Sequence, residues 1–158
     1  MSELTVVGIS DMNIVRGEGR LITYALGSCV GICLYDPVTK VSGLSHVLLP
    51  ESAMCPNDTN VMKFADTAVE ELLRRMERAG ALRFRVTAKI AGGARLFGGA
   101  GGIQIGDRNV AAVKAELTRL RLRLVAEDTG LDYGRTVEFH AEDGRVFVKT
   151  ALRGSKEI

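Results

Sequence analysis

The spacing of the hydrophobic residues changes along the chain, and this change limits the fold more than any other sequence feature. Before Val61, the hydrophobic runs are short, rich in β-branched and aromatic residues, and separated by turn-forming residues, which is typical of strands. These runs are residues 4–9, 21–26, 29–36 and 41–50. From Val61 to Ala79, apolar residues recur at helical spacing, and Gly80 is a helix-ending signal.

The second half of the chain repeats both patterns. Residues 83–91 alternate as a strand, and an amphipathic helix is predicted from Asn109 to about Leu120. Residues 122–128 and 136–150 complete the strands, with a hairpin turn at Asp143-Gly144. Two main helices among roughly seven strands predict an α/β sandwich with mixed or mostly antiparallel strands. We expect a single domain spanning residues 1–158, since no linker or internal repeat interrupts the pattern.

Composition and charge exclude several functional classes. The 158 residues carry a net charge of only +2, so neither nucleic acid nor an anionic membrane is an expected partner. No run approaches the roughly 20 apolar residues of a membrane span, and the first residues lack the pattern of an export signal. The odd number of cysteines, Cys29, Cys33 and Cys55, argues against a disulfide framework. A cytoplasmic location is therefore expected.

A cysteine and a histidine flank one predicted hairpin. Asp36-Pro37 favours a β-turn, and a turn centred after Pro37 would place Cys29 directly opposite His46. A thiol beside an imidazole can act as a nucleophile, because the histidine takes up the thiol proton and later returns it to the leaving group. Gly27 permits a tight bend, and N–H groups near Ser28 and Cys29 are candidate oxyanion donors.

Thr23 lies six residues before Cys29 and therefore shares its strand parity, so its hydroxyl or carbonyl could orient the imidazole. Other interpretations of these residues stay open. A cysteine in a β-run is often only a core residue. Cys29-x-x-x-Cys33, with His46, Cys55 or His140, could instead hold zinc, although the spacing is wrong for a C-x-x-C knuckle.

The glycine-rich segment at residues 91–109 does not match a nucleotide-binding motif. It has neither G-K-[ST] nor a correctly spaced G-x-G-x-x-G. We interpret it as a loop that follows a strand and that could border the active site. No metal or organic cofactor is expected.

Several segments together resemble the CheD family of chemoreceptor glutamine deamidases. The resemblance rests on "TYALGSCVGICLYDPVTKVSGLSHVLLP", "KFADTAVEELL", "AKIAGGARLF", "IGDRNVAAVK", "AEDTG" and "GRTVEF". It implies a three-layer α/β sandwich like that of toxin-type deamidases, with Cys29 as nucleophile, His46 as general base and acid, and Thr23 as the third member of the triad. The implied substrate is a glutamine side chain on the cytoplasmic helices of a chemoreceptor, which becomes glutamate. Receptor methyl esters are a possible second substrate.

The same resemblance implies a CheC-type phosphatase as partner. Two residues depart from the family pattern: Leu131 stands where a second glycine is expected, and Ser45 precedes the histidine where asparagine is common. Neither is a triad member. The alternatives are a non-catalytic module that binds receptor or CheC helices, and a thiol-based metal or redox protein.

Overall fold

The computed structural model describes residues 3–96 and 104–158, so the central part of the glycine-rich segment lies outside the described residues. The strands are β1 (Leu4–Val6), β2 (Asp11–Arg16), β3 (Arg20–Leu26), β4 (Val30–Asp36), β5 (Val41–Val47), β6 (Thr87–Gly92), β7 (Arg123–Thr129), β8 (Arg135–His140), β9 (Val146–Thr150) and β10 (Gly154–Glu157). The helices are α1 (Ala65–Arg78) and α2 (Ile105–Arg119), and Ser52–Met54 and Arg83–Arg85 form single 3₁₀ turns.

The strands form two mixed sheets of five strands each. The first sheet has the order β1-β3-β8-β9-β10, and the second has the order β2-β5-β4-β6-β7. Most neighbours are antiparallel, but β1 pairs with β3 and β6 pairs with β7 in parallel. β3 and β4 are consecutive in sequence yet belong to different sheets. The chain therefore crosses from one sheet to the other within residues 27–29.

Two hydrophobic cores divide the protein into three layers. One core joins both helices to the outer face of the second sheet, and it includes Leu72, Leu73, Met76, Val113, Leu117, Ile32 and Leu34. The other core lies between the two sheets and includes Leu21, Val137, Phe139, Cys33 and Leu44. The predicted three-layer α/β sandwich with two main helices is confirmed. Neither helix in the described part of the chain is long and apolar enough to cross a membrane.

Several predicted boundaries were wrong for local reasons. The first helix begins at Ala65 instead of residue 61, because Asp58 and Asn60 accept main-chain hydrogen bonds from residues two positions ahead and form turns. Residues 83–85 form a 3₁₀ turn before β6. The second helix begins at Ile105, four residues before the predicted start. Strands β2 and β10 were not predicted.

Leu131 adopts a backbone conformation that favours glycine. Its φ is +58°, in the left-handed region, and it follows Gly130 at φ +80°. Its side chain is 57% exposed, so little packing offsets the strain. Its carbonyl accepts a hydrogen bond from the Arg95 N–H at 2.7 Å, which links this turn to the glycine-rich segment. Leu131, which stands where the family pattern implies glycine, is therefore a strained residue.

We expect Leu131→Gly to stabilise the protein by about 0.5–1 kcal/mol, since relief of the left-handed strain exceeds the added entropy of the unfolded chain. The midpoint of urea unfolding measures this difference. Leu152→Gly is the matched control, because Leu152 is 97% exposed and lacks a positive φ. The control should not be stabilised. A lower midpoint for Leu131→Gly would contradict the expectation.

Candidate active site

The Gly27–Cys29 segment, where the chain crosses between the sheets, is held by its carbonyl groups. The Gly27 carbonyl accepts a hydrogen bond from Ala94 N–H at 2.9 Å, and the Cys29 carbonyl accepts one from Gly93 N–H at 2.8 Å. The Ser28 carbonyl accepts a hydrogen bond from the side-chain amide of Asn109 at 2.9 Å. All three carbonyls of the turn therefore accept hydrogen bonds, from Gly93, Ala94 and Asn109.

Gly92 allows this close approach. It has φ +113°, and a Cβ atom there would collide with the main-chain carbonyl of Cys29. Gly27, predicted to permit a tight bend, is not among the described residues with positive φ. A Cβ atom at Gly27 would instead meet the side chain of Leu96. The small size of Gly27, rather than unusual φ freedom, is what this turn uses.

The pairing of β4 with β5 corrects the predicted position of Cys29. His46 pairs with Gly31, and Asp36 pairs with Val41, so the hairpin loop contains residues 37–40. The predicted direct pairing of Cys29 with His46 was wrong by two residues, because Lys40 takes φ +56° and lengthens the turn. Cys29 directly precedes β4, two residues before Gly31, so extending this register by one residue would place it diagonally from His46. Diagonal neighbours are typically about 7–8 Å apart at Cα, which still lets side chains meet.

Thr23 and His46 meet across the two sheets. Thr23 lies on β3 and His46 on β5, both fully buried, and Thr23 Oγ1 is 2.6 Å from His46 Nδ1. The Thr23 hydroxyl also donates a hydrogen bond to the Val7 carbonyl at 2.8 Å. A hydroxyl carries one proton, so Thr23 Oγ1 must accept at its contact with His46. His46 Nδ1 therefore carries the proton, and neutral His46 has an unprotonated Nε2.

His46 Nε2 has the properties of an available base. It is buried and has no hydrogen-bond partner among the described residues. Burial lowers the pKa of His46 to about 4, so the ring is neutral at physiological pH. Burial also raises the pKa of the Cys29 thiol, and a hydrogen bond with its own backbone opposes this rise. The pair is therefore neutral in this structure, and burial opposes the thiolate formation expected from the sequence.

The backbone around Ser28 offers donors on the side opposite to its bound carbonyls. None of the N–H groups of Gly27, Ser28 and Cys29 donates to a main-chain carbonyl within residues 3–96 and 104–158. A planar trans peptide directs its C=O and N–H in opposite directions. Binding of the Gly27 and Ser28 carbonyls thus fixes the directions of the Ser28 and Cys29 N–H groups.

The residues considered for zinc binding do not form a metal-type cluster. Among the described residues, no group of three or more His, Cys, Asp or Glu side chains has a suitable arrangement for an ion. Cys33 is buried between the sheets, where burial raises its pKa to about 12. Cys55 follows the Ser52–Met54 turn, and the His140 ring packs on Phe147. All three cysteines are free thiols.

Two contributors to the site were not predicted from the sequence. The Val7 carbonyl holds the Thr23 hydroxyl, and a main-chain contact of this kind leaves no side-chain signal. Asn109 is fully buried and binds both the Ser28 carbonyl and the Leu48 carbonyl, at 2.9 and 3.0 Å. Its spacing to Val113 and Leu117 places it on the apolar side of α2, which was a usable signal. Ser45 is buried, and its hydroxyl has no partner among the described residues.

Comparison with known proteins gives a consistent result along the whole chain. The family model described as CheD chemotactic sensory transduction matches residues 48–150. A probable chemoreceptor glutamine deamidase CheD of Lachnoclostridium phytofermentans is 46% identical, with 100% of both chains covered. A protein of the same description from Caldanaerobacter subterraneus subsp. tengcongensis is 47% identical over 99% of both chains. The chemoreceptor glutamine deamidase CheD of Halalkalibacterium halodurans is 44% identical, also with 100% of both covered.

Proposed function

Because the chain belongs to the CheD family, we propose that it deamidates glutamine side chains of chemoreceptors, giving glutamate and ammonia. The observation that most supports this proposal is the hydrogen bond between Thr23 and His46 Nδ1, which leaves the buried Nε2 without a proton and without a partner among the described residues. A buried base next to a thiol suits amide hydrolysis through a covalent intermediate. We propose Cys29 as nucleophile, His46 as base and acid, and Thr23 as the residue that orients the imidazole.

Acylation is the first half of the proposed reaction. Cys29 Sγ attacks the carboxamide carbon as its proton passes to His46 Nε2, so an S–C bond forms and the oxygen gains negative charge. The N–H groups of Ser28 and Cys29 stabilise this oxyanion. The C–N bond then breaks, and His46 Nε2 gives its proton to the departing nitrogen, which leaves as ammonia. Proton transfer during attack suits a thiol and an imidazole that are both neutral beforehand.

Hydrolysis of the thioester completes the proposed cycle. His46 Nε2 accepts a proton from a water molecule as the oxygen of that water attacks the thioester carbon. The C–S bond then breaks, the sulfur recovers its proton, and glutamate is released. A methyl ester of receptor glutamate could enter the same cycle with methanol in place of ammonia. No step uses a metal or an organic cofactor.

The proposal is tested by mass spectrometry of a purified receptor cytoplasmic fragment incubated with the protein in oxygen-18 water. Deamidation through hydrolysis should convert particular glutamines to glutamates that each contain one heavy oxygen atom, with release of ammonia. The fragment incubated with heat-denatured protein is the control. Receptor binding without conversion of any glutamine would reject the deamidase proposal and favour a non-catalytic binding module. Conversion of methylated glutamates alone would restrict the activity to ester hydrolysis.

Thr23→Val should lower kcat about 10- to 100-fold with little change in KM. Valine keeps the shape of threonine but removes the oxygen that accepts the His46 Nδ1 proton, so the ring loses its fixed tautomer and orientation. Steady-state kinetics with the receptor fragment measures both constants. Thr23→Ser keeps the hydroxyl and should retain most of the activity. Equal losses in the valine and serine variants would contradict an orienting role for the hydroxyl.

The proposed partners follow from the substrate and the family. The protein would act on the cytoplasmic helices of chemoreceptors, and we propose a CheC-type phosphatase as a second partner. The three free thiols suit a reducing compartment, so we propose that the protein works in the cytoplasm. Co-purification of the protein with a receptor fragment and with a CheC-type protein would test these two associations separately.

A further inference from the structure

Asn109 connects the segment that carries Cys29 to the segment that follows His46. It lies in the second turn of α2, fully buried, and its side-chain nitrogen donates to the Ser28 carbonyl at 2.9 Å and to the Leu48 carbonyl at 3.0 Å. Ser28 directly precedes Cys29, and Leu48 comes two residues after His46. One amide group thus binds the main chain beside both proposed catalytic residues.

The orientation of this amide follows from its partners. Both are carbonyl oxygens, which only accept hydrogen bonds, so the nitrogen of Asn109 must face them. The oxygen of the same amide is buried without a partner among the described residues. An unpaired buried acceptor costs about 1–3 kcal/mol. Asn109 therefore holds an arrangement that is not the most stable one for its own side chain.

The bond to Ser28 controls the direction of a catalytic N–H group. The Ser28 carbonyl and the Cys29 N–H belong to one planar trans peptide and point in opposite directions. By holding the carbonyl on the α2 side, Asn109 aims the Cys29 N–H away from α2. The neighbouring carbonyls of Gly27 and Cys29 are bound by main-chain N–H groups of Ala94 and Gly93. Among the three bonds that the described residues make to these carbonyls, only the bond from Asn109 comes from a side chain.

We propose that Asn109 is a positioning residue for the deamidation reaction: it sets the direction of the Cys29 N–H as an oxyanion donor and the spacing of Cys29 from His46. This inference rests on the proposed function of Cys29 and His46. Asn109 acts through the main chain and does not touch the substrate. Because the oxyanion exists only during the reaction, a misdirected donor lowers kcat more than it raises KM.

The test uses Asn109→Leu, which keeps the side-chain volume and removes both donors, and Asn109→Ala, which leaves space for water. We expect kcat for the receptor fragment to fall about 10- to 100-fold in both variants, with KM within about twofold of wild type. Tyr35→Phe is the matched control. It removes a side-chain donor to a main-chain carbonyl, Ala141 at 2.9 Å, at the far end of β4, and kcat should not change.

Site-resolved alkylation with iodoacetamide gives a second readout that does not depend on deamidation. Burial holds the Cys29 thiol in its protonated form, so a loosened turn should make Cys29 react several-fold faster at neutral pH. Cys33 is buried in the same core, so faster alkylation of Cys33 would indicate unfolding of the whole protein. Cys55 is partly exposed, so its alkylation rate measures the reactivity of the iodoacetamide itself. Faster alkylation of Cys29 alone, together with slower deamidation, is the expected signature.

Three outcomes separate the proposals. Unchanged kcat in both Asn109 variants would overturn the positioning role. Parallel acceleration at Cys29 and Cys33 in both variants would also overturn it, because Asn109 would then be a general stabilising residue. If wild type does not deamidate the fragment, the proposed function fails, and the alkylation pattern alone decides whether Asn109 holds the Cys29 turn.

Discussion

Cys29→Ala is expected to abolish glutamine deamidation while leaving receptor binding intact. Alanine removes the sulfur that forms the proposed covalent intermediate. The rate should fall by at least about 10⁴-fold, to the background of the uncatalysed reaction. Mass spectrometry of the receptor fragment measures the conversion, and co-sedimentation with the fragment measures binding.

Cys33→Ala is the matched control for this experiment, since Cys33 is also a buried thiol of the inter-sheet core. It should keep kcat while losing some thermal stability through the small cavity that it creates. Conversion by Cys29→Ala at the rate of wild type would remove the thiol from the mechanism. The same receptor signalling in cells carrying wild type or Cys29→Ala would favour a binding module as the physiological role.

His46→Gln should lower kcat by about 10³-fold or more and should also change how stability depends on pH. Glutamine can form hydrogen bonds but cannot take up the Cys29 proton or deliver it to the leaving nitrogen. Folding lowers the pKa of His46 to about 4 from an ordinary value near 6.5. Between these values the unfolded chain binds a proton that the folded protein does not, so stability decreases as pH falls.

The size of this decrease distinguishes His46 from other acid-sensitive groups. It should reach about 3 kcal/mol between neutral pH and pH values below about 4, and it should be absent above about pH 7. Urea unfolding of wild type and His46→Gln across this range isolates the contribution of His46 to stability. Asp36 also responds to acid, because its pairing with Arg85 and its other hydrogen bonds hold its pKa low, but it contributes equally to both proteins. An identical slope in wild type and His46→Gln would contradict burial of a neutral His46.

Local sequence patterns predicted the positions of the helices and strands better than they predicted which residues pair between strands. The period of the apolar residues identified both helices and most strands, because each element buries one face. β2 was not predicted because Asp11 and Asn13, which are poor strand formers, interrupt its apolar residues. The β4–β5 register was wrong because a left-handed residue at Lys40 is not encoded by a glycine. Turn length in such cases depends on tertiary contacts.

The residues of the candidate site could likewise be predicted better than the contacts between them. Cys29 and His46 could be proposed from residue chemistry and a short sequence separation, Thr23 could be proposed from its strand parity, and the resemblance implied that the three form one triad. The sequence did not reveal that Thr23 reaches His46 from the opposite sheet, because strand parity says nothing about which sheet a strand joins. Asn109 is more than 60 residues from Leu48 in the chain, and only the packing of α2 against the second sheet brings them together.

The position of Thr23 and His46 on different sheets has a consequence for how the protein matures. Either sheet alone contains only part of the triad: the first supplies Thr23, and the second supplies His46. During folding, a chain with formed strands but undocked sheets would have a thiol and an imidazole without a fixed tautomer. Full activity of the proposed triad therefore requires the two sheets to have docked, so a newly made chain should act only weakly on bystander glutamines until its sandwich has closed.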